Sequence, residues 1–340
     1  MIMDCKWSYY IYLVALGFIG TSLANPYNTS IYVYEIINSD KSMKPTENNN
    51  LTSITWAHAV NSQKELDDAL KSDIDMIEAD IVLGKINNTG PDLPVMGHPP
   101  KQTSDISLES FLRQILDFNN KTDHKKGVKL DFKSIEVFEG SLALLHGLWS
   151  SMTYPIWLNA DIIKGPVNNT ETVPVDPTRF FAGCKDFPDA VLSIGWTTRW
   201  GSDFKDGFYT DTQIEEMVDS IKKNNITDSQ LPITFPVRAG IAASSDTQLH
   251  WLLRAVNETN PSTLTIWSSA NDNVDIKKLR KLIFDFGLNR VYLDVPEEVS
   301  SKLNLHKGPG NAAALPSIFN VAYIGLCALV ASYALQKTFS

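Results

Sequence analysis

Between about residue 50 and residue 300 the chain repeats one pattern eight times: a short run rich in Val, Ile, Trp and Phe, followed by a stretch with its apolar residues at helical spacing. The strand-like runs fall at 54–60, 76–83, 127–133, 156–162, 190–197, 233–239, 263–267 and 290–295. The intervening stretches include SQKELDDALKS, SLESFLRQILDF, DTQIEEMVDSIKKN, SDTQLHWLLRAV and DIKKLRKLIFDFG. Several open on a residue able to cap a helix, namely Ser62, Ser107, Asp211 and Ser245. Eight strand–helix units in about 250 residues is the count of a (β/α)8 TIM barrel. An open doubly wound sheet would want a glycine-rich phosphate loop after its first strand, and HAVNS is not one. No composition break marks a second domain, so the expectation is a single barrel over 51–305.

Parallel barrel strands are covered on both faces and so read as apolar runs. Three of these runs break that rule. The first carries His58 near its end, and the second, MIEADI, places Glu78 and Asp80 two apart and hence on one face. In the third, KLDFK, Lys129, Asp131 and Lys133 share one face while Leu130 and Phe132 take the other. If the apolar partners meet the helices, the charged column lines the barrel mouth, where active sites of this fold are built. His98, in PVMGHPP, lies in the loop after the second strand, with two prolines stiffening the chain behind it.

Buried charges persist only when paired or bound to metal. Glu78, Asp80 and Asp131, with no cysteine nearby, make a hard oxygen site suited to Mg²⁺, with Ca²⁺ the alternative. Such a cation binds phosphate oxygens, Lys133 adds positive charge beside them, and His58 and His98 have side chains suited to proton transfer near neutral pH. Asn159, Asp161 and Arg238 fall at the corresponding ends of later strands and form a second rank of mouth residues, together with Asn61. Arg238 could meet a phosphate or neutralise the carboxylates.

The chain ends carry a different message. Lys6, an apolar run over 11–19 and small residues at Ser22 and Ala24 read as a signal peptide over 1–24. Residues 25–50 are polar and Asn-rich, a flexible lead-in. The tail, 306–340, passes from small residues through a spacer to an apolar stretch. It reads as a GPI-attachment signal or a single transmembrane helix, either of which places the protein on the outer face of the plasma membrane. Seven N-x-S/T sequons, at Asn28, Asn50, Asn87, Asn120, Asn168, Asn225 and Asn257, agree with passage through the secretory pathway. Of three cysteines, Cys5 falls in the signal and Cys327 in the tail, which leaves Cys184 without an internal partner. A net charge of −9 argues against nucleic acid as a partner.

The stretches WAHAVNS, MIEADI, MGHPP, KGVKLDFKS and PIWLNADIIKGP resemble the menorin family of secreted or membrane-anchored animal proteins, over about 56–295. That family is similar in turn to the phospholipase C-like phosphodiesterase barrels, which include glycerophosphodiester phosphodiesterases and sphingomyelinase D toxins. The resemblance implies that His58 and His98 are the acid–base pair, that Glu78, Asp80 and Asp131 hold Mg²⁺, and that Lys133 contacts phosphate. It also has departures. Ala59-Val60 stands where glycerophosphodiesterases have Arg-Gly, and the toxins' disulfide loop after the second histidine is missing. Two functions follow as expectations. One is a metal-dependent phosphodiesterase acting on a phospholipid or another phosphodiester at the cell surface. The other is a non-catalytic adhesion or co-ligand protein with extracellular protein partners, as in the neuronal patterning with which the family is associated.

Overall fold

The computed structural model describes residues 50–309 apart from 168–170 and 230. The expected signal peptide, the expected lead-in up to residue 49, the tail from residue 310 and the sequons at Asn28 and Asn168 lie outside the described residues. One compact unit ends at Leu303 and a second begins at Asn304. Among the described residues no helix is long and apolar enough to cross a membrane.

Eight parallel strands form the barrel wall: β1 (Trp56–Ala57), β2 (Met76–Ile86), β5 (Gly127–Phe132), β6 (Ile156–Lys164), β7 (Val191–Thr197), β8 (Ile233–Arg238), β9 (Ser262–Trp267) and β10 (Val291–Asp294). They pair in that order from β1 to β10. The seam between β10 and β1 is joined by side chains: His58 Nδ1 meets Asp294 Oδ2 at 2.9 Å, and Trp56 stands edge-on to Tyr292 at 6.4 Å. Below them Leu51 N–H donates to the Leu288 carbonyl at 2.8 Å. Two further strands fall where the sequence reading placed only a loop. β3 (Thr89–Met96) runs back antiparallel along the extended end of β2, and β4 (Thr103–Ser104) pairs with that end in parallel.

Helices cover the outside: α1 (Gln63–Lys71), α2 (Leu108–Asn119), α3 (Ile135–Leu148), α4 (Pro177–Cys184), α5 (Asp211–Lys223), the single turn α6 (Ala239–Ala242), α7 (Asp246–Asn257), α8 (Ile276–Phe286) and α9 (Glu297–Leu303). In α2, Leu108, Phe111, Leu112 and Ile115 recur at helical spacing and are buried. Each such side chain contributes about 1.5–3 kcal/mol of transfer free energy. Ser62 and Ser107 cap α1 and α2 as expected, each accepting a backbone N–H three residues on. α5 is instead capped by Thr210, one residue before the expected Asp211, through a reciprocal box with Gln213. Ser245 precedes α7 but turns its hydroxyl back to the Ile241 carbonyl.

Inside, the barrel changes character from bottom to top. Leu51, Ile54, Met76, Trp157, Val191 and Tyr292, with Trp56 against them, make an apolar floor. Trp157 is fully buried, edge-on to Tyr292 at 4.8 Å and to Trp56 at 5.2 Å. Gly127 leaves room for this floor, since a Cβ there would stand 2.3 Å from Met76 Sδ. One inward step higher the lining turns polar. Strand register sets Glu78 beside Lys129, Asp80 beside Asp131, Asp131 beside Asn159 and Asp161 beside Gly195. Free Cys184 is fully buried on α4, an apolar packing position.

Candidate metal centre at the barrel mouth

The strand expected at 54–60 shortens to two residues because Ala59 adopts φ 55°, outside any strand geometry. Glu78 takes over the ladder's role there. Its Oε2 accepts the Ala59 N–H at 2.7 Å, and its carbonyl accepts the Val60 N–H at 2.9 Å. The turn brings His58 over the mouth with its Nδ1 toward Asp294 and, at 3.5 Å, Glu78 Oε2. Asn61 then clamps the next strand residue from both sides. Its amide donates to Asp80 Oδ2 at 2.7 Å, and its oxygen accepts the Asp80 N–H at 2.9 Å.

Glu78, Asp80 and Asp131 converge as the alternation required, with one oxygen from each lying within 4.8 Å of the others. Lys133 enters the same space. Its Nζ lies 2.7 Å from Asp80 Oδ1 and 2.5 Å from Asp131 Oδ2. Asn159 supports the cluster from β6, donating to Asp131 Oδ1 at 2.7 Å while accepting the Ser193 hydroxyl at 2.5 Å. Asp161 closes the ring, and among the described residues no side-chain hydrogen bond reaches its carboxylate. Gly195 faces it because a Cβ there would lie 2.7 Å from Asp161 Oδ1.

The electrostatics divide these carboxylates into two kinds. Burial pushes Glu78 up to about 7, against the pull of His58. Burial, reinforced by Asp131, takes Asp161 to about 7 as well. Asp80 feels the same burial, but Lys133 and the Asn61 amide outweigh it and bring the carboxyl down to about 2. For His58, burial disfavours the imidazolium, yet Glu78 and Asp294 outweigh it and raise the ring to about 9. Lys133 is likewise desolvated, and Asp131 and Asp80 hold its ammonium well above the ordinary lysine range.

His98 follows β3, and the Gly97 N–H before it donates to the Asp80 carbonyl at 2.9 Å. Its ring is exposed, with Nδ1 2.7 Å from the Pro99 carbonyl oxygen. That contact needs a proton on Nδ1, which leaves Nε2 as the reactive nitrogen. Arg238 is held away from the carboxylates. Its guanidinium is forked onto Asp272 at 2.8 and 2.9 Å and lies 4.9 Å over Trp267, whose ring also stacks near His58 at 6.4 Å. Asp294 and Lys129 fall at mouth positions in the sequence, but their surroundings become visible only in the fold. Asp294 reaches His58 only when the last strand closes on the first. Lys129 is 4% exposed inside the mouth, on the charged face of β5.

A (β/α)8 barrel with an acidic, lysine-bridged mouth is the class these features define. The chain matches the family model described as "Menorin N-terminal domain" over residues 50–300. It is 36% identical over 244 residues to Protein FAM151B of Homo sapiens, covering 72% of this chain and 83% of that one. The chain belongs to the menorin family. Among solved structures it is similar to the N-terminal domain of a putative aldolase from Bacteroides vulgatus, at 12% identity and TM-score 0.42, covering 75% of this chain and 81% of the other. It is also similar to D-psicose 3-epimerase, at 11% identity and TM-score 0.33, covering 58% and 86%. At such identities and scores the likeness says nothing of chemistry.

Proposed function

We propose that the mouth is a divalent-cation centre serving cleavage of a phosphodiester, with a phospholipid as the leading substrate class. The observation that carries this reading is the convergence of Glu78, Asp80 and Asp131 within 4.8 Å. All-oxygen donors at that spacing suit Mg²⁺ or Ca²⁺. When bound, the cation would draw charge from a phosphate oxygen and stabilise the charge that builds on it. Lys133 must leave Asp80 and Asp131 for the cation to enter, which frees its ammonium toward the same phosphate.

Both imidazoles are tied at Nδ1, His58 by Asp294 and His98 by the Pro99 carbonyl, so each presents Nε2. One ring accepts the proton of the attacking hydroxyl, from water or from a neighbouring group of the substrate, as its oxygen bonds to phosphorus. The other donates a proton to the departing oxygen as the second P–O bond breaks. The test is turnover of bis(p-nitrophenyl) phosphate and of phosphodiester lipids by the full chain. Turnover that needs a divalent ion and is lost in His58→Asn supports the reading, and metal-independent or absent turnover counts against it.

One observation favours a second reading. The Lys133 ammonium already pairs with both Asp80 and Asp131 and occupies the space between them, so the mouth can stand without metal. The barrel would then be a scaffold for an adhesion or co-ligand protein with extracellular partners. On either reading the protein is a glycoprotein of the secretory pathway, tethered at the cell surface by its tail. Supporting this, Asn87, Asn120 and Asn225 are exposed, and Asn50 and Asn257 are half-buried.

A further inference from the structure

The inward face of β5 and the residue just after it carry two lysines, Lys129 and Lys133, with opposite fates. Leu130 and Phe132 turn outward, Phe132 packing at 5.0 Å from the Phe138 ring on α3, so Lys129, Asp131 and Lys133 all face the mouth. Lys133 is committed to Asp80 and Asp131. Lys129, next to Glu78 across the ladder, is only 4% exposed. Among the described residues no side-chain hydrogen bond or ion pair reaches its amine. Its ladder neighbours are Glu78 on β2 and Trp157 on β6.

An ammonium that the protein leaves unpaired beside carboxylates is open to a ligand, and the fold satisfies such a group where it is merely structural. Lys126 is the control, three residues earlier. It is buried too, and its amine donates to the Ser72 and Ile74 carbonyls at 2.6 and 2.9 Å. Lys129 has no such arrangement and stands beside a cluster of carboxylates with the geometry of a cation site.

We propose that Lys129 is an anion-binding residue of the mouth, whose amine takes an oxygen of a phosphate ester held against the Glu78, Asp80 and Asp131 centre. This rests on the phosphodiester reading above and makes Lys129, rather than Lys133, the cation already free to meet the ligand.

The test uses the full chain and inorganic phosphate, followed by calorimetry and ³¹P line broadening, with and without saturating Mg²⁺. Wild type, Lys129→Met and Lys129→Gln are compared, with circular dichroism as the fold control. Losing one charge-assisted hydrogen bond should weaken phosphate binding about tenfold or more in the Lys129 variants. Their Mg²⁺ affinity should not fall. Lys129→Arg, which keeps the charge, should restore binding. Should the Met variant not fold, the Gln variant decides. Folded Lys129 variants that bind phosphate as wild type does, or a wild type that binds none in either state, overturn the proposal. Phosphate binding that depends on Lys129 without any Mg²⁺ binding defeats only the metal reading. Mg²⁺ binding with phosphate binding indifferent to Lys129 defeats only this one.

Discussion

Asp294 Oδ2 lies 2.9 Å from His58 Nδ1, so the last strand of the barrel orients the imidazole that follows the first. Because Asp294 and Glu78 raise His58 to about 9, the folded state binds that proton more tightly than the unfolded chain. The resulting stabilisation is present in full below about pH 6.5 and lost as pH rises through about 9. The ring is 40% exposed, so solvent screening reduces the effect to about 1 kcal/mol. Asp294→Asn should move the imidazole titration, followed by NMR in the metal-free protein, down toward 6.5. It should also destabilise more at pH 6 than at pH 10. An unchanged titration would show that the contact does not hold the ring.

Lys133→Met should remove the counter-charge that Asp80 and Asp131 share. Breaking a buried ion pair leaves the remaining charges uncompensated, a loss of about 2–4 kcal/mol in urea unfolding of the metal-free protein. Asp80 sits near 2, so its contribution is present above about 3.8 and disappears as pH falls toward 2. The variant should lose that acid limb of the stability curve, and Mg²⁺ should restore part of the loss. A variant as stable as wild type without metal contradicts this account of the pairing.

Two glycines should respond oppositely to alanine. At Gly195 a Cβ would come within 2.7 Å of Asp161 Oδ1 and 2.8 Å of Pro236 Cγ, so Gly195→Ala should destabilise by about 1–3 kcal/mol. At Gly140, inside α3, nothing stands within 4 Å of the added carbon. Gly140→Ala should stabilise by about 0.5–1 kcal/mol through helix propensity. Equal effects at both sites would mean that the mouth relaxes around Asp161.

The barrel was legible because eight short strand-like runs alternate with helical stretches of strong periodicity. The charged face of β5 was legible because alternation alone separates Asp131 and Lys133 from Leu130 and Phe132. The β2–β3 hairpin was not, since Gly90, Pro91 and Pro94 read as loop and the strand they belong to is largely solvent-facing. The length of β1 was missed because a side-chain bond, from the Ala59 N–H to Glu78, replaces a ladder bond there. Arg238 illustrates the remaining gap. Sequence places it near the mouth, but only the folded loop after β9 reveals that Asp272 already holds it.

The central claim is that Glu78, Asp80 and Asp131 bind a divalent cation, and calorimetric titration of the full chain with Mg²⁺ and Ca²⁺ tests it most directly. Wild type should bind one ion, and at 100 times the dissociation constant should gain about 2.7 kcal/mol of stability. Binding should weaken as pH falls through about 7, where Glu78 takes up a proton, and should vanish in Glu78→Ala/Asp80→Ala. A wild type that binds neither ion at pH 8 would contradict the account and leave Lys133 as the permanent partner of these carboxylates.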